Sequence, residues 1–243
     1  MVKTIAFTVL LTLITTGLFA QSRKKEPQGL QFGFKAGAAY SKIKDLDLVL
    51  VSEDIYKNYS FKNQYSWGAT AGVFINYHFD ESIFALYSEL CYSRLGSTLK
   101  YTDIKNFWYN MTLRYEFITW DLFYKAYIWK GLYVGIGPRI GLNVTPDALY
   151  YKSNGEDLYL FTDQDEQKGL RSVLKGRSNF SGGIGAGWEL HNGLSIDFRY
   201  YHGFSDVLET LVNDYNFIET KNASRTFQCT IGYALPYNLK FNK

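Results

Sequence analysis

Cysteine, proline and histidine are all scarce in this chain of 243 residues: there are two Cys (Cys91 and Cys229), four Pro and three His. Two cysteines exclude a disulfide-dense scaffold and every multi-cysteine metal cluster. A surplus of charge is also missing. Lys and Arg number 26 against 23 Asp and Glu, a net +3, without the basic excess that a nucleic-acid-binding protein gathers on one face. Past residue 20 no apolar run approaches the ~20 residues of a spanning helix. The chain also lacks the low hydrophobicity of disorder, since 47% of it is hydrophobic. What abounds is aromatic: 21 Tyr, 18 Phe and 5 Trp, beside 21 Gly. That balance favours strands with an apolar face.

The first 20 residues read as a secretory signal peptide. Lys3 provides the positive start, Ile5 to Phe19 is uncharged and mostly apolar, and Ala20 is a small residue at the expected cut before Gln21. No Cys follows the cut, so no lipid anchor is expected there. Residues 21–29 then read as a periplasmic linker, 30–237 as the folded body and 238–243 as a tail.

Along the body, polarity alternates with period two. Trp67, Ala69, Ala71, Val73, Ile75, Tyr77 and Phe79 fall opposite mostly small or polar residues from Ser66 to His78. Leu132, Val134, Ile136 and Ile140 fall opposite Tyr133, Gly135, Gly137 and Arg139. Successive strand side chains point to opposite faces, so each segment has one apolar and one polar face. Eight strands are expected, over 30–43, 66–79, 83–97, 109–127, 131–144, 178–190, 194–203 and 224–236. In the fourth the apolar parity slips near Ile118 and Thr119, which predicts a bulge. Short turns (Asp80 to Ser82, Ile128 to Lys130, His191 to Gly193) alternate with long polar loops at 44–64, 98–108, 145–177 and 207–222.

An even number of long strands, with short turns on one rim and long loops on the other, describes an eight-stranded antiparallel up-and-down transmembrane β-barrel. It is expected in the outer membrane, with both termini periplasmic and the long loops extracellular. Closure is a physical requirement there, because an open sheet edge in lipid leaves backbone groups unpaired. The competitor is a soluble barrel of lipocalin type, with its apolar face inside. Against it stand the Gly-rich, charge-balanced polar face and aromatic residues near strand ends, among them Trp67, Tyr77, Phe84, Tyr124, Trp188 and Tyr233.

Several short motifs resemble the PorT-like family of outer-membrane β-barrel proteins of Bacteroidota. They are Gly33-Phe34-Lys35-Ala36-Gly37 with Tyr40-Ser41, Glu89 to Ser93 with Gly96, Gly131 to Val134 with Gly137-Pro138, and Gly185 to Leu190 followed by Asp197-Phe198-Arg199-Tyr200 and Gly203. The fourth strand departs: Thr119-Trp120-Asp121 stands where the family commonly has an acidic–apolar–proline run. The resemblance implies this fold and location, and its name-giving member implies a part in protein secretion. Thr230, Gly232, Leu235 and Tyr237 are similarly spaced to the C-terminal insertion signal of outer-membrane barrels, with Pro236 unusual within it. The partners implied are outer-membrane lipid, the barrel-assembly machinery and secretion-system components.

Chemistry is sparse. The strand phases send Lys35, Arg139 and Arg199 inward with Glu89, Glu189 and Asp197, three cations against three anions. An eight-stranded barrel is just wide enough to be filled by its own side chains, so a plug of ion pairs is expected, with a gated ion path as the alternative. Gly183-Ile184-Gly185-Ala186-Gly187 lacks the spacing of a nucleotide-binding loop and reads as room for bulky neighbours such as Arg199. Of His78, His191 and His202, only His202 has Ser205 and Asp206 nearby, and a strand-to-loop passage does not by itself hold a triad. Glu156, Asp157, Asp163, Asp165 and Glu166 lack calcium-loop spacing and read as a solvated loop. Cys91 is expected to face the lumen and Cys229 the lipid, both free. No cofactor and no metal are expected. The role expected is non-enzymatic, an accessory or interaction component; a narrow solute channel and a lipid-modifying enzyme are the alternatives.

Overall fold

The computed structural model describes residues 29–46, 60–155, 162–190, 192–209 and 222–235. The segment 1–20 with the Ala20–Gln21 junction, and Pro236, Tyr237 and 238–243, lie outside the described residues. Eight long strands make the wall: β1 (Gly29–Ile43), β2 (Ser60–His78), β3 (Phe84–Thr102), β4 (Trp108–Trp129), β5 (Leu132–Asn143), β8 (Asn179–Glu189), β9 (Leu194–Asp206) and β11 (Ala223–Ala234). Between β5 and β11 lie short β6 (Leu149–Ser153), helix α1 (Asp163–Val173), β7 (Lys175–Gly176) and β10 (Leu208–Glu209). The eight pair antiparallel in the cyclic order β1, β2, β3, β4, β5, β8, β9, β11, and the pairing of β11 with β1 completes the ring. The eight-stranded wall is closed on itself.

Alternation sets the two faces. On β1 the residues Leu30, Phe34, Ala36, Ala38 and Tyr40 point out, while Lys35 and Ala39 are buried inside. At ~3.4 Å per residue and a tilt near 40°, Leu30 to Tyr40 spans ~26 Å of height, the stature of a lipid-facing band.

Strand β4 has no bulge at Ile118 and Thr119. Its register with β3 runs unbroken from the Phe84–Ala126 pair to the Thr102–Trp108 pair. Odd residues stay inside throughout, and the surroundings change instead. From Thr119 to Lys125 the inward Thr119, Asp121 and Lys125 are polar, and the outward Trp120 and Tyr124 are exposed and apolar. From Met111 to Phe117 the inward Met111, Leu113, Tyr115 and Phe117 are buried in an apolar core, while Arg114 faces out. The wall leaves the apolar band near Ile118 and becomes inside-out. Among the described residues the register shifts lie elsewhere: in β2 between Tyr65 and Thr70, near the end of β4 between Tyr127 and Trp129, and at the start of β11 between Ala223 and Arg225.

The wall also runs further than the alternation predicts. Most of 98–108 is strand, closed by a turn in which Asp103 Oδ1 accepts from the backbone N–H of Lys105 and Phe107, each at 2.8 Å. On the opposite rim β4 reaches Trp129, leaving a two-residue turn with positive φ at both Lys130 (36°) and Gly131 (84°), the primed geometry that matches strand twist.

Most of the expected solvated loop at 145–177 is folded. Asp163, Asp165 and Glu166 occupy the first turn of α1, where carboxylates complement the positive end of the helix dipole. Thr162 caps it by accepting from the Asp165 N–H. Asp163 ties it to β6, accepting from Ser153 Oγ at 2.6 Å. Val173 and Leu174 then bury against Leu149, Leu113, Leu99, Val207 and Leu208, roofing the long-loop end. Burial of each such side chain contributes about 1.5–3 kcal/mol. Beside the roof, β7 pairs with β10, and Arg177 bonds Glu209 at 2.8 Å, holding that carboxyl below the usual carboxylate range.

Candidate functional site

The lumen is layered from one rim to the other. At mid-height Glu89 of β3 is the hub: its Oε2 lies 2.6 Å from Lys35 Nζ and 3.0 Å from Arg199 Nη1, and its Oε1 lies 3.9 Å from Arg139 Nη2. Arg139 donates through Nε to Asp121 Oδ1 at 2.7 Å and through Nη2 to Gln228 Oε1 at 2.8 Å. Asp197 stands 3.6 Å from Lys35 Nζ. Aromatic rings fill the rest: Arg139 lies over Tyr201 at 3.3 Å, and Arg199 is near Tyr87 at 5.0 Å and Phe123 at 4.5 Å. Charges buried this deeply persist only when paired.

Glu189 does not join this group. It sits nearer the tight-turn rim, where Oε1 accepts from Lys125 Nζ at 2.8 Å and Oε2 from the Tyr127 hydroxyl at 2.7 Å, with His78 Nε2 3.8 Å away. Lys125 Nζ also lies over Tyr87 and Tyr133, at 3.7 and 4.1 Å. Five of the six inward charges read from the sequence therefore meet, and the sixth belongs to a second cluster. Asp121, Lys125 and Gln228 escaped the sequence reading. The first two share the inward odd parity of β4, a signal that the supposed slip concealed. With them, buried Lys35, Lys125, Arg139 and Arg199 face Glu89, Asp121, Asp197 and half-buried Glu189, so the charges balance.

Glycines make the space. A Cβ on Gly185 would stand 2.7 Å from Arg199 Cγ, and one on Gly183 would stand 2.7 Å from the Tyr201 ring. Toward the long loops the network gives way to hydroxyls, with Thr70 and Ser93 bonded at 2.8 Å, and then to the apolar roof. Polar, hydroxyl and apolar layers block the lumen in turn.

The remaining candidates are dispersed. His202 is exposed on the outer wall, its Nδ1 3.4 Å from the Tyr200 hydroxyl. Ser205 Oγ accepts from Phe180 N–H, and Asp206 Oδ1 accepts from Asn222 N–H; the three do not converge. His78 is committed to Asn76 at 2.9 Å, and His191 lies outside the described residues, as do Glu156 and Asp157. No group of three metal-ligating side chains occurs among the described residues. Thr230 and Gly232 face the lumen, Thr230 Oγ1 lying 3.4 Å from Asp197, while Leu235 follows the end of β11 and its N–H donates to Phe32 O at 2.7 Å. Cys91 is buried and Cys229 half-buried, both free.

This layered, closed barrel has matches among known proteins. The model of the outer membrane protein β-barrel domain matches residues 19–209. The chain belongs to that family. As an outer-membrane β-barrel protein it is similar to solved structures at low identity. Neisserial surface protein A is 13% identical, with 85% of this chain and 99% of that one covered and a TM-score of 0.39. OprG from Pseudomonas aeruginosa is 11% identical, with 86% and 97% covered and a TM-score of 0.40. Ail, the attachment invasion locus protein of Yersinia pestis, is 13% identical, with 86% and 99% covered and a TM-score of 0.36. No curated protein sequence matches the outer-membrane barrel described here.

Proposed function

We propose that this outer-membrane barrel is a non-conducting, non-enzymatic accessory protein whose folded long-loop end is an interaction surface. The observation that carries the reading is the double closure of the lumen, by the Glu89-centred ion pairs and by the apolar roof containing Leu113, Leu149 and Leu174. In planar bilayers the purified protein should give no stable conductance steps. Steps of constant size that persist through voltage reversal would refute it. The scatter of His202, Ser205 and Asp206 supports the non-enzymatic part, and His202→Ala should leave the membrane lipid profile unchanged.

The short tight-turn rim and both chain ends face the periplasm in this proposal, with the roofed rim outside. Residues 230–237 then present the insertion signal to the barrel-assembly machinery. The motifs that resemble the PorT-like family support service in protein secretion, with secretion-system components as partners. A deletion strain should lose many proteins from its extracellular fraction and trap their precursors in the periplasm. An unchanged secretome removes the secretion role and leaves the closed, accessory barrel standing.

A further inference from the structure

One stretch of the outer wall is not smooth. Across β2, β1, β11, β9, β8 and β5 the register aligns a row of Ala69, Ala38, Cys229, Phe198, Ala186 and Val134. The row above it, toward the long loops, begins Trp67, Tyr40, Phe227 and Tyr200. Small residues beneath large aromatics leave a hollow of about 620 Å³ on the outward face, walled by Tyr40, Trp67, Phe198 and Phe227. That volume falls within the ~300–1,000 Å³ of sites that take a small molecule.

One step higher, the same strands set three basic residues side by side. Lys42 pairs with Arg225, and Arg225 pairs with His202. On β8 the row continues from His202 into the uncharged Gly182. Asp206, further along β9, is engaged with the Asn222 backbone. Lys42 Nζ leans on the Tyr65 ring at 5.9 Å, and Arg225 Nε is buried with no acceptor among the described residues. Cations directly above an aromatic girdle stand at headgroup height in a bilayer.

We propose that this face binds one anionic phosphorylated lipid, with an acyl chain in the hollow and its phosphate on Lys42 and Arg225, flanked by His202. Among the described residues no carboxylate pairs with Lys42 or Arg225, so these two cations call for an anion, and the apolar hollow calls for a chain. A second copy of the barrel fits worse. Two barrels inserted the same way around related by a two-fold axis along the membrane normal would meet with their cationic rows at equal height, facing like charge with like.

Native mass spectrometry of the full chain in non-ionic detergent, titrated with phosphatidylglycerol, phosphatidylcholine or inorganic phosphate, tests this. One phosphatidylglycerol should bind several-fold more tightly than phosphatidylcholine, and inorganic phosphate should not be retained. The K42Q/R225Q double variant should weaken phosphatidylglycerol binding by about tenfold or more, since each basic residue near an anionic headgroup contributes roughly a fivefold gain. Ala38→Phe, which fills the hollow, should weaken both lipids. Both variants change only outward residues, and heat-shifted gel mobility reports whether each barrel is folded. If folded K42Q/R225Q binds phosphatidylglycerol like the parent, if inorganic phosphate binds equally well, or if a dimer forms in place of the lipid complex, the proposal fails.

Discussion

Glu89→Ala is the substitution that tests the lumen most severely. The carboxylate is fully enclosed, 2.6 Å from Lys35 and 3.0 Å from Arg199. At an effective dielectric of ~20, each of those contacts has a gross energy of about 6 kcal/mol. Much of that is offset by the cost of taking the ions out of water, and removing one member of a buried pair typically costs about 3–5 kcal/mol net. Three cations would be left with Asp121 and Asp197 alone, so the upper part of that range is expected. At about 1.4 kcal/mol per decade, the folding equilibrium should fall at least a hundredfold. The assay is urea titration in lipid vesicles, approached from the folded and unfolded sides until the curves coincide and read by heat-shifted gel mobility. Glu116→Ala supplies the contrast: its pair with Arg94 is just as short at 2.7 Å but its partner is half exposed, so about 0.2–1 kcal/mol is expected. Adding Lys35→Met to Glu89→Ala removes one stranded cation and should restore part of the loss, a coupling that a double-mutant cycle reads. A Glu89→Ala barrel within 1 kcal/mol of the parent would show that the lumen hydrates its charges freely, and the account of a sealed plug would collapse.

The other expectations are smaller. Leu113→Ala, in the roof, should cost about 2–5 kcal/mol, measured by the same titration; no loss would mean the roof is not packed. Thr162→Ala removes the α1 cap and should cost about 1 kcal/mol, seen as faster proteolysis within α1 with the barrel intact. Gly185→Leu should block folding outright, because its Cβ would already crowd Arg199, and an unaltered yield of folded barrel would contradict the close packing there. In the folded protein a maleimide should label Cys229 and spare Cys91, with both labelled after boiling; equal labelling beforehand would place Cys91 in an open lumen.

Much of the wall was legible because its rule is local. Alternation in 66–79 or 131–144 needs no knowledge of partners, and the same rule puts Lys35, Glu89, Arg139, Asp197 and Arg199 on the face that the structure buries. Which charges meet is not local. Lys35 and Glu89 lie 54 residues apart, and Glu189 shares their face but not their height, which depends on the stagger of strands around the ring. The roof was hidden for another reason. Its loop contribution comes from a few apolar residues (Leu149, Val173, Leu174) scattered through a polar stretch, and helix α1 is too short and too polar to stand out before its packing is known.

The misplaced bulge in β4 carries the broader argument. Inside the lipid band, Trp120 and Tyr124 must face outward, so Asp121 and Lys125 are driven into the lumen, where Asp121 pairs with Arg139 and Lys125 with Glu189. Beyond the band the outer face meets water, Arg114 and Glu116 can stand there, and Leu113, Tyr115 and Phe117 turn inward for the same reason that lipid drew their neighbours out. One uninterrupted strand thus builds an ion-paired layer and an apolar layer with no change of phase. Every strand that rises past the band has the same choice of surroundings, which is why the long-loop end closes over as a core instead of opening as a mouth. A barrel with short strands that ended at the band would have no such roof, and its lumen would be sealed by ion pairs alone.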